Sequence, residues 1–110
     1  VPRFFDGTLP DLNFGTAEGR ACDPGLAGAV VGAARAQDRY SIAVNGRFKG
    51  GYITRHYGQP SANVHALQLE MTQRLYMDER APFDYLPARA DEVQPLLRRM
   101  VGAAIDWAVP

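Results

Sequence analysis

The side chains that could carry out chemistry concentrate in one stretch of the sequence, from Val44 to Met77. Both histidines of the chain, His56 and His65, lie in this stretch, and Glu70 follows an apolar run near its end. Burial beside apolar groups raises the pKa of a carboxyl group, so Glu70 is suited to general acid–base work. The alternative is a carboxylate at the end of a strand that faces solvent or pairs with an arginine.

Several groups in the turn-rich segment before that strand are suited to binding an anion. Arg55 could hold a carboxylate through two parallel hydrogen bonds. His56 could be a ligand, a proton carrier or a hydrogen-bond donor, and a structural histidine is the alternative. Lys49 and Arg47 lie among the glycines of NGRFKGG and could hold an anion, although exposed cations are common in turns.

Other kinds of site are disfavoured by the spacing of the residues. His65 and Glu70 are five residues apart in one predicted strand, so they would point to opposite faces and could not readily chelate one metal ion. No HxxE, HxxxH or CxxC spacing supplies the three ligands of a catalytic metal, so we predict that this chain holds no metal by itself. Cys22 has Arg20 as its one close basic neighbour, which argues against a nucleophilic role.

The strand that positions Glu70 is predicted over Asn63 to Met71 and is expected to be the central strand. Successive side chains of a strand point to opposite faces. One face would therefore carry Val64, Ala66, Gln68 and Glu70, and the other, mostly core, would carry His65, Leu67, Leu69 and Met71. Ligands of open α/β sheets bind beyond the carboxyl ends of strands, which is where this pattern places Glu70.

The remaining elements are predicted from breakers, caps and periodicity. Asp23-Pro24 begins a helix that should end near Gln37, because Asp caps free amides and Pro suits the first helical position. A last helix should run from Pro87 to about Trp107, with Pro95 either kinking it or marking its true start. The shorter elements are strands at Asp11 to Gly15 and Tyr40 to Val44, the latter buried, and a strand or extended loop at Tyr52 to Tyr57. Val1 to Pro10 is expected to be irregular. Alternating strands and helices predict an α/β layer structure. The expected domain has three layers of sheet and helix, although two helices alone would leave one face of the sheet poorly covered.

Length and composition limit the function further. The 110 residues form one small domain, and 12 basic and 12 acidic residues cancel, which favours neither nucleic acid nor an anionic membrane as a partner. No apolar run approaches the roughly 20 residues of a membrane span. The single cysteine and the lack of a signal-peptide pattern predict a cytoplasmic protein. The first residues, Val-Pro, resemble the middle of a chain, so we expect a piece of a longer protein.

Three motifs resemble the C-terminal half of the N-formylglutamate amidohydrolases, also called N-formylglutamate deformylases. They are NGRFKGGYITRHYGQP with the following VHALQLEM, the later LYMDE, and the earlier DLNFGTAEGRACDP. The resemblance implies a zinc-dependent amidase, with a fold related to the metallocarboxypeptidases, that converts N-formyl-L-glutamate to formate and L-glutamate in histidine degradation. It implies that Glu70, in QLEM, is the general base and that Arg55 binds a substrate carboxylate. Lys49, Asn45, Tyr52 and His56 are further substrate-binding candidates of the same segment.

The zinc ligands of this family lie in its N-terminal half, before the stretch that matches Val1. The resemblance therefore implies that this chain supplies the base and the substrate-binding groups, needs the missing N-terminal half of the same enzyme as its partner, and is inactive alone. Two alternatives remain: an amidohydrolase for another N-acyl amino acid, and a non-catalytic binding domain with the same fold. The sequence upstream of Val1 would separate these, because a set of histidine ligands there would favour the enzyme.

Overall fold

A computed structural model of the chain describes residues 7–109. Most of the predicted irregular segment at the start lies outside the described residues. Three strands are present, β1 (Leu12–Gly15), β2 (Ile42–Val44) and β3 (Gln68–Met71), with three helices, α1 (Pro24–Arg35), α2 (Tyr52–Tyr57) and α3 (Pro87–Ala108). Single 3-10 turns lie at Pro60–Ala62 and Gln73–Leu75. No helix within residues 7–109 has both the length and the apolar character that crossing a bilayer requires.

The sheet has the order β2-β1-β3, so β1 is its central strand. β1 runs parallel to β2 and antiparallel to β3. The prediction of a central strand over Asn63 to Met71 was therefore wrong in its extent and its place. Asn63 has a left-handed backbone (φ 59°), and Val64 pairs only with Gln59 in an isolated bridge. The chain turns there, and only the last four residues of the predicted strand join the sheet.

The two long helices follow the predicted boundaries closely. Asp23 caps α1 by accepting a hydrogen bond from the Gly25 amide (2.7 Å), as its position before Pro24 indicated. α3 begins at Pro87 and continues through Pro95, so Pro95 is not the start of the helix.

Two short elements differ from their predictions. Tyr52–Tyr57 is a helix rather than a strand or extended loop. Its alternating pattern indicated a strand or an extended loop, but Thr54 is its one buried residue and the Gly58 amide closes its last turn on the Thr54 carbonyl (3.2 Å). β2 was predicted to be buried, yet its side chains are half-buried or exposed because it lies at an edge of the three-stranded sheet.

The described residues form two layers rather than the predicted three. Leu12 and Phe14 of β1 are buried against residues of both α1 and α3, and these two helices also pack on each other. Both long helices thus cover the same face of the sheet. The opposite face carries polar side chains, among them Asn13, Gln68 and Glu70, since partners across an antiparallel pair point to the same side. This mixed α/β arrangement leaves a polar face on which a site can be built.

Gly15 of β1 lies against the backbone of Lys49, and adding a side chain at Gly15 tests this contact. A Cβ at Gly15 would lie 2.6 Å from the Lys49 carbonyl carbon, whereas a Cβ at Gly32, on the exposed side of α1, would meet nothing within 4 Å. We expect Gly15→Ala to lower the free energy of unfolding by about 1–3 kcal/mol, the usual cost of overpacking. Gly32→Ala should raise it by about 0.5–1 kcal/mol, because alanine loses less entropy in a helix. Urea denaturation of both variants is the measurement. Equal effects on the free energy of unfolding would contradict the close approach of the Lys49 backbone to Gly15.

Candidate functional site

Glu70 is held on the polar face of the sheet by two neighbouring side chains. Its Oε1 accepts a hydrogen bond from Gln68 Nε2 (3.3 Å). Its backbone carbonyl accepts one from Asn13 Nδ2 (3.3 Å), which also donates to the Pro10 carbonyl (2.7 Å). Asn13 is buried and Glu70 is half-buried, so the backbone of Glu70 is anchored while the residue remains partly exposed to solvent.

Glu70 lies near the carboxyl end of β3, as predicted, but the neighbouring strand runs in the opposite direction. Because β3 is antiparallel to β1, Glu70 lies opposite Asn13 and the strand's last residue, Met71, lies opposite Leu12 at the start of β1. Glu70 therefore does not lie in a crevice beyond the carboxyl ends of parallel strands. It lies on the open polar face, where contacts from α2 can reach the same strand.

Gln68 connects Glu70 to α2. No role for Gln68 was predicted from the sequence. Gln68 Oε1 accepts hydrogen bonds from the Gly51 amide (2.7 Å) and from Thr54 Oγ1 (3.3 Å), while its Nε2 donates to Glu70. The signal was present in the sequence, because residues two apart in a strand share a face. The first turn of α2 is thus tied to the carboxylate through one amide side chain.

Three predicted substrate-binding residues lie together on α2. The Tyr52 and His56 rings stack with centroids 4.8 Å apart, and the Tyr57 ring meets His56 edge-on at 4.7 Å. Arg55 Nη1 donates to the Gly50 carbonyl (2.9 Å). All four side chains are exposed, so the aromatic pair and the guanidinium are available for contacts beyond the described residues.

Lys49 and Asn45 hold the loop that follows β1. Lys49 Nζ pairs with Glu18 Oε1 (2.9 Å), and this hydrogen bond and charge lower the pKa of the Glu18 carboxyl group. Asn45 Oδ1 accepts from the Thr16 amide (2.9 Å), and its Nδ2 donates to Thr16 Oγ1 (2.8 Å). The structure thus gives both residues a structural role, and their contact with substrate stays a prediction.

His65 and Cys22, like Lys49 and Asn45, have structural roles in the described chain. His65 Nδ1 accepts from the Asp23 amide (3.0 Å), which leaves Nε2 to donate to Asn63 Oδ1 (3.1 Å), and the ring packs edge-on against Trp107 (5.0 Å). Cys22 is buried, and burial raises the pKa of its thiol, which disfavours the reactive thiolate. Across residues 7–109, no group of three or more His, Cys, Asp or Glu side chains could hold a metal ion.

The polar face of the sheet thus brings a carboxylate close to an arginine-bearing helix, and comparisons with known proteins specify the family. The family model for N-formylglutamate amidohydrolases matches residues 1–77. The chain is 50% identical over 107 residues to the N-formylglutamate deformylase of Pseudomonas aeruginosa, and 47% identical over 107 residues to that of Pseudomonas putida. These matches include 97% of this chain but 40% of each relative.

A solved structure agrees with these sequence matches. The N-formylglutamate amidohydrolase from Ralstonia eutropha JMP134 superposes with a TM-score of 0.72 at 27% identity, covering 96% of this chain and 35% of that one. The chain belongs to the N-formylglutamate amidohydrolase family. The resemblance seen in the motifs is therefore confirmed, and the chain spans about 40% of the length of its curated relatives.

Proposed function

We propose that the full-length protein containing this chain hydrolyses the formyl amide of N-formyl-L-glutamate, giving formate and L-glutamate. Membership of the family and the activity for which the Pseudomonas relatives are named support this reaction. Within the chain, the supporting observation is the Glu70 carboxylate, held by Gln68 on an otherwise open polar face. Because the chain spans 40% of those relatives, the activity is proposed for the whole protein.

In this proposal, Glu70 is the general base. Its carboxylate takes a proton from the attacking water as the water oxygen bonds to the formyl carbon. It then gives that proton to the nitrogen of the leaving L-glutamate as the C–N bond breaks. The Gln68 amide keeps the carboxylate in one orientation, and such positioning can supply several kcal/mol of a barrier reduction. Arg55 binds a substrate carboxylate, with Tyr52 and His56 as neighbouring contacts on the same helix.

Zinc and a metallocarboxypeptidase-like architecture are part of the proposal through the family resemblance alone. The residues described in this chain do not fit a metal site, since no group of three donor side chains forms among them. We therefore place the ligands in another part of the same protein and assign this chain no metal-binding residue. A role in histidine degradation and a cytoplasmic location belong to the same proposal.

A panel of N-acyl amino acids would test the choice of substrate. The full-length protein should release formate from N-formyl-L-glutamate far faster than acetate from N-acetyl-L-glutamate or formate from N-formyl-L-methionine. Enzymatic detection of formate and acetate is the measurement. A preference for N-acetyl-L-glutamate would favour the alternative of another N-acyl amino acid hydrolase. A folded full-length protein that hydrolyses none of the three would favour the non-catalytic binding domain.

A further inference from the structure

Two guanidinium groups from distant parts of the sequence line one pocket beside α2. Arg20 comes from the loop after β1 and Arg55 from α2, and Ala17, Ala21 and Gly58 complete the lining of a cavity of about 360 Å³. Both arginine side chains are exposed. Within residues 7–109, neither forms an ion pair with a carboxylate. Two positive charges thus share a concave surface, and the Glu18 carboxylate acts on Arg20 through charge without a direct ion pair.

Each guanidinium is oriented by one hydrogen bond and retains donors for a ligand. Arg20 Nε donates to the Ala17 carbonyl (3.0 Å), and Arg55 Nη1 donates to the Gly50 carbonyl (2.9 Å). A guanidinium carries five N–H donors in a planar fork that matches a carboxylate. Each arginine therefore keeps enough N–H groups for a two-bond contact with a carboxylate, while its own position is fixed by the backbone.

The walls of this pocket are held in place by close contacts. A Cβ at Gly58 would lie 2.5 Å from the Ala21 carbonyl oxygen, so the end of α2 rests directly on the loop after β1. In that loop Ala17 and Glu18 have positive φ angles of 52° and 56°. Such strained residues persist only when their surroundings hold them, and they cluster at ligand-binding sites.

The groups that hold this strained loop are those the sequence marked for substrate binding. The Ala17 amide donates to the Lys49 carbonyl (2.7 Å), and the Glu18 amide donates to Asn45 Oδ1 (3.4 Å). The Glu18 carboxylate forms its ion pair with Lys49, and its attraction to Arg20 is the weaker of the two. Asn45 and Lys49 therefore support the wall from which Arg20 extends.

We infer that this pocket binds a small dicarboxylate, with one carboxylate group on Arg20 and the other on Arg55. This inference rests on the proposed function, in which the ligand is the glutamate portion of N-formyl-L-glutamate. Arg20 is then a specificity-determining residue alongside Arg55. A charge-assisted hydrogen bond contributes enough to change an equilibrium roughly 10- to 100-fold. Loss of either carboxylate from the substrate should cost that factor in kcat/KM.

The test compares N-formyl-L-glutamate with two analogues that each lack one carboxylate, N-formyl-L-glutamine and N-formyl-L-isoglutamine. The full-length wild-type protein should prefer the dicarboxylate over both analogues by roughly 10- to 100-fold. Arg20→Gln should raise KM for the dicarboxylate and abolish one preference, and Arg55→Gln should abolish the other. Arg55→Lys keeps the charge but loses the fork, so it should mainly raise KM. Arg35→Gln, at the exposed end of α1, is the matched control and should keep both preferences.

A binding measurement separates this inference from the proposed reaction. Calorimetry with L-glutamate should show binding to the full-length wild type and to Arg20→Lys, and roughly 10- to 100-fold weaker binding to Arg20→Gln. Circular dichroism establishes that each variant is folded. Absence of formate release with intact, arginine-dependent glutamate binding would refute the reaction and support the pocket. An Arg20→Gln protein with unchanged glutamate affinity and both preferences would overturn the pocket, whatever the activity.

Discussion

Replacing Glu70 by glutamine should lower kcat for formate release from N-formyl-L-glutamate by about 10²–10⁴-fold and leave KM nearly unchanged. Glutamine keeps the shape of the side chain, and its amide oxygen can still accept the hydrogen bond from Gln68 Nε2. What it loses is the ability to take up a proton from water. The effect therefore falls on the chemical step and not on the binding of substrate.

Two control variants keep the Glu70 carboxylate and change either another negative charge or the side chain that holds Glu70. Glu79→Gln alters an exposed carboxylate away from β3 and should keep wild-type kcat. Gln68→Leu removes the link between Glu70 and α2, so it should lower kcat less than Glu70→Gln does. Steady-state kinetics on the three full-length variants is the measurement. Near-normal turnover by a folded Glu70→Gln protein would return Glu70 to the role of a solvated carboxylate on the sheet.

Removal of the metal should abolish formate release by the full-length protein, and added zinc should restore it. A bound zinc ion lowers the pKa of its water to about 7, which no side chain described in this chain can do. The 110-residue chain by itself should bind no stoichiometric zinc, because its described residues form no group of three donor side chains.

Metal content and activity must be followed together in this experiment. Dialysis against a chelator, metal analysis and formate assays before and after zinc addition provide both quantities, with Glu70→Gln as a variant that should retain its metal. Full activity in protein shown to be metal-free would exclude the zinc proposal. Tight, stoichiometric zinc in the isolated chain would contradict the placement of the ligands in another part of the protein.

The sequence predicted the helices better than the sheet, for physical reasons. Helix α1 follows from local signals: the Asp23 cap, Pro24 and apolar residues at helical spacing. β3 depends on partners far along the chain, because Glu70 pairs with Asn13, and no local signal shows where that pairing ends. α2 was missed because its alternating pattern indicated a strand or an extended loop, and the contacts of Gly51 and Thr54 with the distant Gln68 are not visible in the local sequence.

In the candidate site, too, the sequence shows the chemical types of the residues but not their distant contacts. Glu70 and Arg55 were selected from the sequence because a carboxylate suits acid–base chemistry, a guanidinium suits binding of a carboxylate, and both lie in motifs that resemble the family. Gln68 shares a strand face with Glu70 in the sequence, but its contact with Gly51, 17 residues away, is visible only in the structure. The pocket that Arg20 shares with Arg55 is likewise visible only in the structure. Asn45 and Lys49 were predicted to bind substrate, and the structure shows contacts through which they hold the loop after β1.

The decisive measurement is the rate of formate release from N-formyl-L-glutamate by the full-length protein with zinc bound. We expect one formate and one L-glutamate for each substrate consumed, at a rate that depends on Glu70. A folded, zinc-loaded protein that releases neither product would contradict it.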